Sequence, residues 1–522
     1  MIATRRSLLT AAGGLMIPTG VFAAPASPVV RTTYGPVRGT LEAGIKVFRG
    51  VRYGADNGPR RFQPPVPPTP WTRIADATAY GLASPQAGGD EGPQSEDCLF
   101  LNVWTPALAD GGKRPVMVYL HGGAYSGGSG SAPLYDGGRL CRRGDVVVVT
   151  INHRLNVFGY GYLAKLAGPA FAGSGNAGMD DVVLALRWVR DNIAAFGGDP
   201  GRVMLFGQSG GGAKIATLMA MPGAQGLFQA AATMSGQQVT ASGPLHATER
   251  MKLLLAAVGL TPDRAAEVAT LPTGKLIEGL AVADPFTPGR LYFGPVLDGA
   301  ALPRHPFYPD ASPLGLKIPM IIGNAHDETR AFLAHSKPDP FAMGWADVPA
   351  RIAAEMRVDI DPDAVVAAYR ALYPAYSPTD VFFAATTAGR SWRGAIIEAE
   401  ERARAGAPAW VYQQDLPTTI EGGRLKAMHM SDIALAFDNL AAPGSLTAPS
   451  PGAQAVADAM SDSFIALART GDPNHPKLPA WPKYELDRRA TLVFDLDTRV
   501  VDDPRGAERR LFSAVPYIQP GT

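Results

Sequence analysis

The sequence predicts an α/β protein with a mostly parallel central sheet flanked by helices. Three observations support this fold class. Short β-branched apolar runs, bounded by glycine, proline or charge, have the composition of buried parallel strands, and they occupy residues 114–120, 145–151, 202–206 and 317–323. Between the second and third runs, the apolar residues of 179–196 recur at helical spacing. Strand, helix and strand in that order form the unit of a parallel sheet with crossover helices.

The domain organisation follows from how this pattern is interrupted. The chain has 522 residues, of which 46% are hydrophobic, which is enough for a large core. Residues 237–316 and 330–408 are helical in pattern and interrupted by prolines, without strand alternation. We therefore expect one domain over residues 27–522 that carries these two segments as large insertions.

The first 26 residues have the composition of an export signal. Paired arginines at Arg5 and Arg6 precede a mildly apolar stretch, 8–22, and a small-residue cleavage zone, 23–26. This arrangement resembles a bacterial twin-arginine signal. A membrane anchor needs about twenty uninterrupted apolar residues, and glycines and a proline interrupt this stretch. With no other segment able to span a bilayer, we expect a soluble, exported protein, periplasmic or secreted.

Charge and cysteine content exclude several classes of partner and cofactor. The 48 Lys and Arg residues balance 47 Asp and Glu residues, so the net charge of +1 indicates neither a nucleic acid nor an anionic membrane. Cys98 and Cys141 allow one disulfide at most, and whether they pair stays open. Without a His/Cys/Asp cluster at ligand spacing, we expect no metal and no cofactor. The oligomeric state is not indicated.

A serine between glycines follows the run at 202–206. The residues from Gly207 to Gly211 read Gly-Gln-Ser-Gly-Gly and lead into an alanine-rich helical stretch, which matches a nucleophile elbow. The tight strand-to-helix turn holds its serine in a strained backbone conformation, so the close neighbours must lack side chains. Ser209 is therefore the predicted nucleophile, with a plain glycine-rich turn as the alternative. The Walker phosphate-binding order is absent, because Lys214 is followed by Ile215.

A serine nucleophile needs a general base and an acid that orients it. In an elbow-containing fold the chain order is nucleophile, acid, base. Asp327 and Glu328 both follow the run at 317–323, and this reasoning leaves the two open as the acid.

Three of the eight histidines lie beyond these acids: His335, His429 and His475. His335 is too near the acids in sequence to reach the serine, and His475 lies in a turn close to the C-terminus. His429 follows a strand-like run at 408–416 and opens a possible helix, which is the place for a base on a loop above the sheet. We therefore predict His429 as the base.

Backbone donors for the developing oxyanion are expected after the run at 114–120. His-Gly-Gly follows this run directly, so the N–H groups of Gly122 and Gly123 can turn inward. Together with the N–H of Gly210 they form a predicted oxyanion hole.

Further motifs, taken in order, resemble the type B carboxylesterase family of α/β-hydrolases, which also contains the cholinesterases. They cover nearly all of the chain after the signal and include SEDCLFLNVWTP, VYLHGGAYSGG, INHRLNVFGY, FGQSGGG and GDPNHPKLPAWPKY. The resemblance implies an α/β-hydrolase fold with helical insertions over the active site. It also implies a serine esterase that cleaves a small-molecule ester through an acyl-enzyme, without a cofactor.

The resemblance also assigns roles to residues. It implies a triad of Ser209, Glu328 and His429, with Gly122, Gly123 and Gly210 as oxyanion donors. Family members often have a serine after the next strand that supports the acid, and here that position is Ser235.

The sequence departs from the family pattern at three places. Gln208 stands where the family often has Glu before the nucleophile. The usual disulfide partner of Cys98 is replaced by Ser84, which implies a free Cys98. The aromatic residue that cradles quaternary ammonium in cholinesterases has no match, so a choline ester is not favoured. An acyl hydrolase acting on lactones, thioesters or amides and a non-catalytic binding protein remain as alternatives.

Overall fold

The computed structural model describes residues 27–88, 92–356, 358–519 and 521. The predicted export signal, residues 1–26, lies outside the described residues. Within the described part of the chain, no helix is both long and apolar enough to cross a membrane.

Fourteen strands in the described residues form an eleven-stranded sheet and a three-stranded sheet. Their bounds are β1 (Val29–Arg31), β2 (Pro36–Arg38), β3 (Thr40–Glu42), β4 (Ile45–Arg52), β5 (Ala75–Asp76), β6 (Phe100–Thr105), β7 (Arg114–Leu120), β8 (Val147–Ile151), β9 (Gly198–Gln208), β10 (Ala230–Met234), β11 (Met320–Ala325), β12 (Ala409–Gln414), β13 (Ala490–Phe494) and β14 (Arg499–Asp502). The large sheet has the order β14-β13-β12-β11-β10-β9-β7-β8-β6-β4-β3, and the small sheet has the order β1-β2-β5.

The middle of the large sheet is parallel, as the sequence predicted. Neighbouring strands from β8 through β7, β9, β10, β11 and β12 to β13 all pair in parallel, whereas the pairs at both edges are antiparallel. The run at 114–120 coincides with β7. The run at 317–323 starts three residues before the strand that it predicted, β11. The strand begins only after Pro319, because proline has no N–H for a sheet hydrogen bond.

Fourteen α-helices accompany the strands in the described residues. They are α1 (Gly138–Gly144), α2 (Asn156–Tyr160), α3 (Ala177–Asn192), α4 (Gly210–Leu218), α5 (Pro244–Ala257), α6 (Thr273–Gly279), α7 (Arg330–Leu333), α8 (Val348–Glu355), α9 (Pro362–Leu372), α10 (Pro378–Thr387), α11 (Arg393–Arg404), α12 (Ile433–Ala436), α13 (Pro451–Thr470) and α14 (Gly506–Ser513). The helix predicted at 179–196 is α3, and its last turn, Ile193–Phe196, is 3₁₀.

Both faces of the large sheet are covered by helices. Along β7, Val116, Val118 and Leu120 pack into one hydrophobic cluster with α3, whereas Met117 and Tyr119 pack into a second cluster with α13. Alternate residues of a strand point to opposite faces, so a strand buried on both faces is apolar at most positions on either face. This is why the strands read as continuous apolar runs in the sequence.

The two predicted insertions contain helices and none of the named strands in the described part of the chain. Residues 237–316 contain α5 and α6, and residues 330–408 contain α7 to α11. Part of the second segment packs into a hydrophobic cluster of its own, around Val365, Phe382 and Trp392. The assignment of a single domain with two insertions stays a prediction.

A buried ion pair ties the loop after β8 to α3. Arg154 Nη2 lies 2.6 Å from Asp181 Oδ1, and its Nε and backbone N–H donate to Asp181 Oδ2 at 2.8 and 2.9 Å. The Arg154 side chain is 2% exposed and that of Asp181 is 0% exposed. Because neither charge reaches water, each depends on the other for its compensation.

We expect Asp181→Asn to lower the free energy of unfolding by about 3–5 kcal/mol, because it leaves a buried guanidinium without its counter-charge. Urea unfolding measures this change. Asp191→Asn is the matched control, since Asp191 forms an exposed pair with Arg190 and should lose less than about 1 kcal/mol. Equal losses in the two variants would contradict this account of the buried pair.

Candidate active site

Ser209 lies at the junction between β9 and α4, as the elbow prediction requires. Its backbone angles are φ 55° and ψ −125°, a conformation that non-glycine residues rarely adopt. Its N–H donates to the Met234 carbonyl of β10 at 2.8 Å. The turn is thus held from the neighbouring strand, and Ser209 borders the cavity described below.

Two glycines after the serine allow a close backbone approach. A Cβ on Gly210 would overlap the Ala124 carbonyl oxygen, and a Cβ on Gly211 would overlap the Leu120 carbonyl oxygen. The start of α4 therefore packs backbone against backbone on the loop that follows β7. This contact places Ser209 beside that loop.

The same loop carries two of the three predicted oxyanion donors. Gly122 and Gly123 border the cavity together with Gly210 and Ser209. Among the described residues, neither the Gly122 nor the Gly123 N–H donates a hydrogen bond. Two free N–H groups next to the serine are suited to bind a developing negative charge.

Glu328 and His429 are in direct contact. One carboxylate oxygen of Glu328, Oε2, is hydrogen-bonded to His429 Nδ1. The other, Oε1, accepts from the Ala325 N–H at 2.8 Å and from Asn324 Nδ2 at 3.2 Å. The carboxylate is fully buried and held at both oxygens, so it fixes the ring and places the proton on Nδ1, leaving the Nε2 lone pair free to accept.

Asp327, the other acid that sequence reasoning left open, points elsewhere. Its Oδ2 contacts His326 Nδ1 at 3.0 Å, and its Oδ1 accepts from Arg330 Nε at 3.2 Å. Burial alone would raise the pKa of Asp327, but these two partners outweigh it and lower the pKa. Of the two adjacent carboxylates, the structure brings only Glu328 to His429.

Gln208 occupies the free side of the imidazole. Its Nε2 donates to His429 Nε2 at 3.1 Å. In the described part of the chain, no hydrogen bond joins His429 to Ser209, although both border the same cavity. In this structure His429 Nε2 is therefore engaged by the Gln208 amide and not by the Ser209 hydroxyl.

Ser235 and Glu328 share one hydrogen-bond donor. Ser235 Oγ accepts from the Ala325 N–H at 3.3 Å, and this N–H also donates to Glu328. The structure thus places Ser235 beside the carboxylate without a direct hydrogen bond to it.

The prediction that His429 opens a helix is wrong. His429 lies in a turn, and α12 begins four residues later at Ile433. Its N–H contacts the Glu328 carbonyl at 3.4 Å, and the Phe332 ring lies 4.8 Å from the imidazole.

The other candidate histidines lie elsewhere. His335 is paired with Glu421 at 3.0 Å on the surface, and His475 contacts the Ala459 carbonyl at 3.2 Å. Cys98 and Cys141 are both free and buried, so no disulfide joins them. The described residues contain no group of three or more His, Cys, Asp or Glu side chains that could hold a metal ion.

Sequence reasoning missed two polar groups near the site. Asp432, three residues after His429, is buried and accepts from the Tyr412 hydroxyl at 2.7 Å. Burial raises the pKa of Asp432 to about 6. Lys214 is fully buried in α4, and its only sequence signal is that it is the one charged residue among the small and apolar residues of that helix.

A cavity of about 500 Å³ lies over these residues. Both predicted insertions contribute to its wall, with Arg290 from the first and Arg390 from the second. Arg390 also pairs with Glu355 at 3.2 Å. None of the described residues that line the cavity is acidic, so its charged side chains favour neutral or anionic groups over cations.

Comparisons with known proteins identify the family of the chain. The sequence matches the Carboxylesterase family over residues 26–512. It is 34% identical to a para-nitrobenzyl esterase of Bacillus subtilis, over 92% of this chain and 98% of that protein. It is also 34% identical to a phenmedipham hydrolase of Pseudarthrobacter oxydans, over 89% of this chain and 94% of that protein.

A solved structure shares the whole fold. A carboxylesterase of Geobacillus stearothermophilus superimposes with a TM-score of 0.82 at 36% sequence identity, over 93% of this chain and 99% of that one. The predicted α/β-hydrolase fold is thereby confirmed. The chain belongs to the carboxylesterase family that its sequence motifs indicated.

Proposed function

We propose that the protein is a serine carboxylesterase that forms an acyl-enzyme on Ser209, with His429 as base and Glu328 as the acid that orients it. The observation that carries this assignment is the buried contact between Glu328 and His429, because the His429 imidazole borders the same cavity as the elbow serine. Membership of the carboxylesterase family supports hydrolysis of carboxylic esters. The free N–H groups of Gly122 and Gly123 support an oxyanion hole at this place.

In the proposed reaction, Ser209 Oγ attacks the ester carbonyl carbon while His429 Nε2 takes the hydroxyl proton. The carbonyl oxygen becomes an oxyanion that the N–H groups of Gly122, Gly123 and Gly210 bind. The C–O bond to the alcohol then breaks, and the imidazolium gives the alcohol its proton. Water attacks the acyl-enzyme by the same sequence of proton transfers, which releases the carboxylic acid and restores Ser209.

Ser209→Ala should fold normally and lose roughly 10⁴-fold or more in kcat, because the site then has no nucleophile. Hydrolysis of an aryl ester measures the loss, and a fluorophosphonate probe should label the unmodified protein once per chain and the variant not at all. A variant that retained turnover would refute the assignment of Ser209. An unmodified protein that was neither labelled nor active would instead support a binding protein.

Glu328→Gln should lower kcat by up to about 10⁴-fold, because an amide in place of the carboxylate misorients the imidazole and does not stabilise its charge. Asp327→Asn is the matched control, one residue away, and should stay within about tenfold, since Asp327 bonds to His326 and Arg330 instead. Circular dichroism establishes that both variants are folded. The reverse order of activities would make Asp327 the acid.

The charge of the cavity wall favours neutral over cationic alcohols. Arg290 is exposed at the wall, Gln208 is neutral, and no described lining residue is acidic. A cationic leaving group therefore meets repulsion without a compensating carboxylate.

We expect 3,3-dimethylbutyl acetate, the neutral isostere of acetylcholine, to have a kcat/KM about tenfold higher than acetylcholine, from about 1.4 kcal/mol of like-charge repulsion. Arg290→Gln should narrow this gap, and added salt should do the same. A choline ester that was hydrolysed as well as its isostere would contradict the assigned preference.

We also propose that residues 1–26 direct export to the periplasm or the medium. Paired arginines followed by an apolar stretch and small residues support this proposal. The family match begins at residue 26, where the signal is expected to end.

A further inference from the structure

Lys214 connects the helix of the nucleophile to the oxyanion loop, residues 121–125. Its Nζ donates to the Ala124 carbonyl at 2.7 Å and to the His121 carbonyl at 3.3 Å. It also lies 5.2 Å from the centre of the Tyr125 ring. All three contacts are with residues of the one loop that carries Gly122 and Gly123.

Lys214 has no acidic partner among the described residues, although its side chain is fully buried. Burial lowers the pKa of Lys214 to about 7, whereas the two carbonyls and the Tyr125 ring favour the ammonium form. Two stacked imidazoles, His121 and His153, lie nearby with ring centres 4.7 Å apart. Burial, and then the charge of Lys214, lower the pKa of both, so neither adds a charge at neutral pH.

Burying a lysine without an acidic partner costs desolvation free energy. A helix of small and apolar residues can pack without any lysine, so packing does not explain the presence of Lys214. The contacts of Lys214 therefore indicate a role that an apolar side chain at this position does not fill.

The peptide unit between His121 and Gly122 links Lys214 to the proposed oxyanion hole. This unit contains the His121 carbonyl, which accepts from Lys214, and the Gly122 N–H, which has no acceptor among the described residues. The cis peptide bonds of the described residues all precede prolines, so this unit is trans and its N–H points away from Lys214. A cationic donor on the carbonyl holds the peptide plane in place and polarises the N–H on its far side.

We propose that Lys214 is a positioning residue for ester hydrolysis, which orients and polarises the Gly122 N–H through the His121 carbonyl and so strengthens the oxyanion hole. This inference rests on the proposed function, because it presumes an oxyanion formed beside Ser209. This role differs from a purely structural tie between α4 and the loop. It predicts that a variant without Lys214 binds a negative charge more weakly even at those sites that remain folded.

Lys214→Met tests the proposal, since methionine fills similar space without a donor or a charge. The probe is an alkyl trifluoromethyl ketone, which adds to a catalytic serine and forms a tetrahedral oxyanion. We expect kcat, counted per fluorophosphonate-labelled site, to fall about 10- to 100-fold with KM within about threefold. The inhibition constant of the ketone should rise by the same factor.

Thr217→Val is the matched control. Thr217 is also buried on α4, and its hydroxyl bonds to the Tyr125 hydroxyl at 3.1 Å and to the Ala213 carbonyl at 2.9 Å, not to the carbonyls that Lys214 holds. Its kcat and ketone affinity should stay within about threefold of the unmodified protein.

The inference would be overturned if Lys214→Met kept the kcat and the ketone affinity of the unmodified protein per labelled site. It would also be overturned if the variant lost activity only because fewer of its sites were labelled. If Lys214→Met does not fold, Lys214→Gln decides, because it keeps a neutral N–H donor. We expect Lys214→Gln to bind the ketone at least about fivefold more weakly per site, and equal binding would overturn the inference. An unmodified protein that the fluorophosphonate fails to label would instead contradict the proposed function.

Discussion

The backbone contact between the start of α4 and the loop after β7 is the constraint on which the site depends. Gly210 and Gly211 lie so close to the carbonyls of Ala124 and Leu120 that a single methyl group at either glycine would separate the two segments. This contact fixes the serine, the oxyanion loop and Lys214 relative to one another. The site is therefore set by main-chain packing at the end of two adjacent strands, and side chains only complete it.

The sheet topology supplies the rest of the arrangement. β9, β11 and β12 lead respectively to Ser209, Glu328 and the loop that carries His429, and all three are parallel members of one sheet. Parallel strands present their carboxyl ends at one edge of the sheet. Ser209 and Glu328, which are 119 positions apart in the chain, therefore converge there with His429, which lies 101 positions after Glu328. The loop after β7 joins them because β7 pairs with β9.

The parts of the structure that follow from local rules were predictable from the sequence. Continuous apolar runs indicated β7, β8, β9 and β11, and the glycines around Ser209 indicated the elbow. No apolar run indicated β10, because its sequence, AAATM, has alanines that suit a helix equally well. Its strand conformation follows from pairing with β9 and β11, which is a tertiary contact.

The side-chain partners within the site were less predictable. The choice between Asp327 and Glu328 needed the family resemblance, since adjacent carboxylates after a strand have the same local signal. The contact of Gln208 with His429 and the contacts of Lys214 join segments that are more than 200 and about 90 residues apart. No periodicity or spacing rule in one sequence reports contacts of this range.

The strained backbone conformation of Ser209 lowers the stability of the folded protein. A residue with a Cβ that is held at φ 55° and ψ −125° costs roughly 1–3 kcal/mol relative to a relaxed conformation. Glycine adopts such angles freely, so a chain that exchanged this serine for glycine would become more stable as it lost the hydroxyl proposed as the nucleophile. The proposed nucleophile is thus held at a cost in folding free energy, and a substitution that relieves this cost also removes the hydroxyl.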